Sequence, residues 1–379
     1  MIPEGWQLST IERIAIVSSG GTPSRKNPSY WNGNIHWVTT AEVKFETILD
    51  TSEKITIDGL NNSSAKLYPK NTILMAMYGQ GKTRGQVAKL GIEATTNQAC
   101  AAIILKTGYD VDYYYQFLIS QYDNIRGMSN SGGQENLSAG IVKSIQVPVP
   151  PLHEQKKIAQ ILSTWDKAIT ITEQLLANSQ QQKKALMQQL LTGKKCFPEF
   201  SEDWKEVYLG DIAKITTGSS NRQDSQLSGK YTFFDRSEDI RSSDRYLFDG
   251  EAVIVPGEGQ DFVPKYFFGK FDLHQRTYAI MDFPTCDGKY LFYAIHYFRA
   301  HFLSQAVGST VKSLRLPMFQ KMRLYLPTLA QQKKIASILS NADREIELLQ
   351  QKLSYLKKEK KALMQQLLTG KRRVKMEVA

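Results

Sequence analysis

The chain has 379 residues, with 48 Lys and Arg against 37 Asp and Glu for a formal net charge of +11, and 41% of its residues are hydrophobic. That length is more than one hydrophobic core ordinarily serves, so two domains are expected. The three cysteines, Cys100, Cys196 and Cys286, lie far apart without a CxxC pair and suggest neither a disulfide framework nor a zinc site. With no apolar run near membrane-spanning length and no signal-peptide pattern in Met1 to Thr10, a cytoplasmic protein is expected.

In chain order, the first landmark is Trp6 to Gly20, which returns as Trp204 to Gly218 with Trp, Ile, Ala and Gly in register. Gly21 to Val147 follows, a mixed stretch in which Asn71 to Met77 and Ala99 to Leu105 read as strands and Tyr113 to Tyr122 as a helix. From Ile158 the apolar residues take a four-three rhythm through Leu162, Trp165, Ile169, Leu176, Leu186 and Leu190, the signature of a coiled-coil stripe. Thr172, Ser179 and Lys183 interrupt that stripe, so this helix needs a partner.

The second middle, Ser219 to Leu326, repeats the order: Glu251 to Val255 and Thr277 to Met281 as strands, then Tyr290 to Gln305 as an aromatic-rich helix. A second stripe then runs Ile335, Leu339, Ala342, Ile346, Leu349, Leu353, Leu356, Leu363 and Leu367. The two stripes belong to one repeated unit, because KALMQQLLTGK occurs at Lys184 to Lys194 and again at Lys361 to Lys371, and QKKIA at Gln155 and at Gln332. Each copy follows a proline segment and stops at Gly193 or Gly370. At 1.5 Å per residue each is a rod of roughly 60 Å, and mutual antiparallel pairing is the expected arrangement.

The fold class is therefore α+β: two pseudo-symmetric α/β domains separated by two long helices that form an antiparallel coiled coil. The segments are 1–150 (first domain), 151–195 (first helix), 196–327 (second domain), 328–371 (second helix) and 372–379 (basic tail). Residues 152–195 hold 7 Lys and Arg against 3 Asp and Glu, and 329–373 hold 11 against 4, so the helices carry the whole positive excess. A solvated face explains it, and a basic rod contacting phosphates is the functional alternative.

Catalytic patterns are absent. Tyr78 to Gly85 lacks the first glycine of a phosphate loop, which would fall at Ala76, and no dinucleotide fingerprint or aminomethyltransferase sequence occurs. Glu42-Val43-Lys44 is a nuclease fragment without its upstream Pro-Asp, and the five histidines show no metal spacing. No catalytic residue and no metal ligand is assigned.

The arrangement resembles the specificity subunit of type I restriction-modification systems. Gly20 to Ser24 with Tyr30-Trp31, Gly33 and Trp37 carry the resemblance, together with the Pro150 to Gln155 helix entry, the leucine-rich helix ends before Thr-Gly-Lys, and Gly269 to Ile280. It implies a non-catalytic subunit whose two target-recognition domains each read half of a split double-stranded DNA sequence, with the helices as a ruler and docking surface. The partners it implies are two methyltransferase subunits that use S-adenosylmethionine on adenine N6 and, where present, two motor-nuclease restriction subunits that use ATP and Mg. The competing class is a coiled-coil scaffold with two protein-binding end domains and no DNA contact.

Base edges are read by Arg and Lys on guanine and by Asn and Gln on adenine, usually from loops. The Gly-flanked polar candidates of the first domain are Ser24, Arg25 and Lys26; Gln80, Lys82, Thr83 and Arg84; and Ser129, Asn130 and Gln134. Those of the second are Ser220, Asn221 and Arg222; Arg236; Gln260; and Ser309, Thr310, Lys312 and Arg315. Internal alignment sets Gly79-Gln-Gly81 against Gly257-Glu-Gly259 and Gly132-Gly-Gln against Ser309-Thr-Val. It also sets Asn97-Gln98 against His274-Gln275-Arg276, residues that suit buried structural roles and DNA contacts equally.

Overall fold

A computed structural model describes residues 3–79, 81–128, 136–200 and 202–374. The chain divides into two compact units: residues 1–172 with 352–379, and residues 173–351. Each unit therefore holds one globular domain and half of each long helix, because the helices Leu152–Leu190 and Leu329–Leu367 run through the division points. Among the described residues no helix is long and apolar enough to cross a membrane.

The first unit is built on a sheet with the strand order Ala15–Ser19, Cys100–Leu105, Ile73–Ala76, Val87–Leu90, Thr47–Ile48, antiparallel until the last pair, which is parallel. A smaller sheet, Glu53–Ile55, Trp31–Val38 and Thr95–Thr96, leans on it through continuity with the strand that follows. The second unit keeps the order: Lys214–Thr217, Thr277–Met281, Phe248–Pro256, Lys265–Leu273, then Tyr231–Phe234 in parallel, with Arg241–Ser243 added at the edge. Apolar residues dominate Ile73–Ala76 and the end of Phe248–Pro256, as expected of central strands with both faces covered. The expected strand Asn71 to Met77 is shorter, Ile73–Ala76, and the aromatic helix expected over Tyr290 to Gln305 breaks into Gly288–Tyr297 and Ala300–Gln305. The helix expected over Tyr113 to Tyr122 is Val111–Ser120, and a second short helix, Tyr122–Gly127, follows it.

The aromatic helices start identically. Asp110 and Asp287 are their N-caps, each accepting from the backbone N–H three residues on at 2.9 Å. The backbone N–H of each Asp donates in turn to a buried glutamine on a long helix, Gln155 or Gln332, at 2.9 Å. The same glutamines donate from Nε2 to the carbonyls of Pro150 and Pro327, at 2.8 and 2.9 Å. One amide side chain thus closes the proline entry of the long helix and fastens it to the cap of the next helix. A short antiparallel pair, Gln7–Thr10 with Gln146–Val149 or Lys205–Tyr208 with Arg323–Leu326, completes this end of each domain.

Within both units the long helices pair antiparallel. In the first unit Ile158, Ala159 and Leu162 share a core with Met364, Leu367 and Leu368, and Asp166 accepts from Lys360 and from Gln116 Nε2 at 2.6 Å. In the second, Met187, Leu190 and Leu191 share a core with Ile335, Ala336 and Leu339, and Asp343 is paired with Lys183 and accepts from Tyr293 Oη at 2.6 Å. The polar interruptions in the first stripe find partners: Thr172 closes on its own helix at Ala168 O, and Ser179 donates to Glu345 at 3.1 Å. Both helices end on left-handed glycines, Gly193 (φ 69°) and Gly370 (φ 71°), which a side chain would strain.

The two joints differ in one respect. Glu154, buried, accepts from Trp6 Nε1 at 3.3 Å and from Arg373 Nε at 2.9 Å. The repeat places Gln331 and Cys196 where the first unit has Glu154 and Arg373. Carboxylate and guanidinium are thus replaced together, as burial of a charge requires.

Replacing Gln155 or Gln332 by leucine leaves a proline carbonyl and an Asp backbone N–H without partners. Each variant should lose about 2–4 kcal/mol, read as a lower midpoint in guanidinium unfolding; a change under about 0.5 kcal/mol would show that this joint is dispensable.

Candidate nucleic-acid interface

In the second unit the chain leaves strand Lys214–Thr217 at Gly218, where a Cβ would lie 1.7 Å from the Leu273 carbonyl oxygen. Only glycine lets the backbone pass this close to the sheet. The loop that follows is stitched to the turn before strand Thr277–Met281: Ser220 N–H donates to Leu273 O (3.2 Å), Gln275 N–H to Ser220 O (2.9 Å), and Gln275 Nε2 to Asn221 Oδ1 (2.6 Å). Gly257 N–H donates to Arg276 O (2.9 Å), Leu314 N–H to Gly257 O (2.7 Å), and Glu258–Gly259 pairs with Lys312–Ser313. Four segments distant in sequence thereby form one loop cluster, and Arg236 joins it through Glu258 at 3.4 Å.

The candidates in this cluster divide by their surroundings. Ser220 is fully buried, donating to Asp272 and accepting from Arg245 Nη2 at 2.8 Å, so it is an internal tie and is not displayed on the surface as expected. Arg222 is half exposed but paired at 2.9 Å with buried Asp235, which also accepts from Ser237. Burial works to raise the Asp235 carboxyl, yet the Ser237 bonds, Arg222 and His274 outweigh it and hold it below its usual range. Asn221 is taken up by Gln275. Gln260, Ser309, Thr310 and Arg315 are exposed and Lys312 is half-buried; none has a carboxylate partner among the described residues. Beside them a cavity of about 310 Å³ opens between Arg236, Gln260, Phe262, Val263 and Lys265. Burial lowers the Lys265 ammonium, which donates to the Ser237 carbonyl at 2.6 Å.

The first unit is wired alike. A Cβ on Gly20 would lie 1.9 Å from Thr96 O, Gly21 N–H donates to Thr96 O (2.8 Å), and Thr22 Oγ1 donates to Gln98 Oε1. Met77 N–H donates to Ala99 O (2.8 Å) and Leu137 N–H to Met77 O (2.9 Å). Met77 therefore occupies the place of Gly257, and the expected match of Gly79 with Gly257 is off by two. Gly79 instead matches Gly259, and the backbones agree, with φ 137° and 142°. A Gly-x-Gly pair is too short to fix register against the strand hydrogen bonds that precede it.

Ser24, Arg25 and Lys26 lie on an exposed turn. Ser24 O accepts from Trp31 Nε1 at 3.2 Å. Arg25 stacks 3.7 Å over the Trp31 ring and is held by both oxygens of Glu53, so its guanidinium is largely committed, while Lys26 has no partner among the described residues. In the next loop Lys82 is exposed and Thr83 half-buried, the backbone being held by Tyr122 Oη on Lys82 O and Arg126 on Gly81 O. Arg84 is buried, 7% exposed, contrary to the outward place its flanking glycines implied. Gln80, Ser129, Asn130 and Gln134 lie outside the described residues.

By sequence, His274, Gln275 and Arg276 suit structural roles and DNA contacts equally. Gln275 and Arg276 are exposed at the centre of the cluster. Arg245, which ties Ser220 to buried Asp272, carried no sequence signal. Among the described residues no group of His, Cys, Asp or Glu could hold a metal ion.

The family model described as the type I restriction modification DNA specificity domain matches residues 3–178 and again 201–358. The MjaIX type I restriction enzyme specificity subunit of Methanocaldococcus jannaschii is 25% identical, over 98% of this chain and 95% of its own length. The EcoR124I/EcoR124II specificity subunit of Escherichia coli is 31% identical over 45% of this chain and 43% of its own. In fold, the S subunit of a type I restriction-modification system from M. genitalium superposes with a TM-score of 0.68 at 16% identity, over 97% of this chain and 96% of that one. A chain from a structure of type I R-M complex assembly gives 0.60 at 16% identity, over 98% and 100%.

Ser220→Ala removes a buried hydroxyl shared by Asp272 and Arg245 and should lower stability by about 1–3 kcal/mol. Lys26→Ala should stay within about 0.5 kcal/mol. Denaturant unfolding of the two variants checks the division between internal ties and displayed side chains; equal effects would abolish it.

Proposed function

Because the chain belongs to the type I restriction-modification DNA specificity family, we propose that its two loop clusters each read one half of a split double-stranded DNA target. The observation that carries this reading is the loop wiring: matching backbone hydrogen bonds at Met77 and Gly257, and at the Thr96 and Leu273 carbonyls, hold the loops of the two units, which display different side chains. A common scaffold with exchanged loop residues is what reading two unrelated half-sites demands, since base edges are distinguished by donor and acceptor placement.

In this reading the chain performs no chemistry. It positions two methyltransferase subunits, which transfer the methyl group of S-adenosylmethionine to adenine N6, and where the system includes them two restriction subunits that consume ATP with Mg. Exposed apolar residues on the outer faces of the long helices, Ile171, Leu175, Leu348 and Tyr355, offer contact area to such partners. The paired helices set the number of unread base pairs between the half-sites, and their surplus of lysine favours a nearby duplex.

The test is a map of N6-methyladenine in DNA from cells carrying this chain with its methyltransferase, against cells lacking this chain alone. A split motif should vanish with the chain. An unchanged map beside an active methyltransferase would overturn the reading and favour the protein-binding scaffold.

The ruler has its own test. Removing Gln174 to Gln180 together with the facing heptad Glu345 to Gln351 shortens each helix by about 10 Å, or about three base pairs of duplex. The methylated motif should keep both half-sites and lose about three base pairs of spacer; an unaltered spacer would exclude the helices as the ruler.

A further inference from the structure

The turn preceding the second central strand is Asn97-Gln98-Ala99 in one unit and His274-Gln275-Arg276 in the other, and its backbone is held alike in both. A methyl group in the first unit therefore corresponds to a guanidinium in the second. Arg276 is placed with little freedom: its carbonyl accepts from Gly257 N–H at 2.9 Å, its N–H donates to His274 Nδ1 at 3.1 Å, and strand Thr277–Met281 begins at the next residue. Its side chain, 62% exposed, is tethered by one Nη to Glu258, whose other oxygen faces Arg236 at 3.4 Å. Glu258 is itself fixed by the pairing of its backbone with Ser313, and its side chain is only 13% exposed. One carboxylate held low thus serves two outward guanidinium groups, and most of their N–H donors are left open.

The neighbouring arginines are arranged otherwise. Arg245 reaches buried Asp272 and Ser220, and Arg222 faces buried Asp235 one to one. The carboxylate beside Arg276 and Arg236 also discriminates between DNA groups. It repels a phosphate brought against the same guanidinium, whereas the N7 and O6 acceptors of guanine are neutral and accept the fork without that penalty. Adenine places an amino donor where guanine has O6, so donor would meet donor.

We propose that Arg276, positioned by Glu258 and flanked by Arg236, reads a guanine in the major groove of the half-site taken by the second unit. This rests on the DNA-reading function above. The first unit, with Ala99 at the equivalent place, lacks this means of requiring guanine.

The experiment is methylation of a library of target sites by the assembled complex containing wild-type chain, Arg276→Ala, Arg276→Lys or Glu258→Gln. Wild type should require a G·C pair at one fixed position of the second half-site. Both Arg276 variants should lose about 5- to 150-fold of the discrimination there, with every other position and the whole first half-site unchanged; the intact first half-site reports that the complex is folded. Glu258→Gln should relax the same position while raising affinity for non-target duplex, because a repulsive charge has gone. A second half-site without a required G·C pair would overturn the proposal, as would an unchanged profile in both Arg276 variants, a uniform loss at every site variant, or loss of all methylation by both. Wild-type methylation without any dependence on this chain would instead overturn the DNA reading from which the proposal starts.

Discussion

In each unit an aspartate on one long helix meets a lysine from the other and a donor from the globular domain. Asp166 takes Lys360 and Gln116; Asp343 takes Lys183 and Tyr293. Three elements are joined at one carboxylate, so neither helix can slide along its partner without also leaving the aromatic helix beside it. Exposed ion pairs contribute little by themselves, but a shared acceptor at a three-way junction fixes register. The glutamine joint at Gln155 and Gln332 then sets where each helix begins relative to its domain.

Position is what a reader of DNA needs most from its scaffold. The loops that carry the candidate contacts are short of regular structure, yet their backbones are tied to the sheet at several points, and glycines at 20 and 218 let them pass against it. The wiring uses main-chain groups, which any residue supplies. Displayed side chains are therefore free to differ between the units without cost to the fold, as the proposed reading of two different half-sites requires.

Charge follows the same division of labour. Within the loop clusters most arginines are matched to carboxylates, Arg25 to Glu53, Arg222 to Asp235 and Arg245 to Asp272, so these surfaces are nearly balanced. The unbalanced lysines lie on the long helices. In the proposed reading, balanced loops would favour neutral base edges over phosphates, and the helices would supply the general attraction to a polyanion.

The long helices, their antiparallel partnership and the repetition of one domain plan were legible in the amino-acid order, because heptad stripes and internal repeats are properties of residues near one another or of exact recurrence. The polar residues in the first stripe, Thr172, Ser179 and Lys183, were legible as interruptions, though their partners were not. At the loops the sequence determined only which residue types were on offer. That Ser220 is an internal tie, Arg25 a clamp on Trp31, Arg84 turned inward and Arg276 turned out beside Glu258 was decided by tertiary structure. Ser220 and Arg276 take their roles from groups brought near by strand pairing and not by chain proximity, and a lone arginine between glycines reads the same whether the fold buries it or displays it.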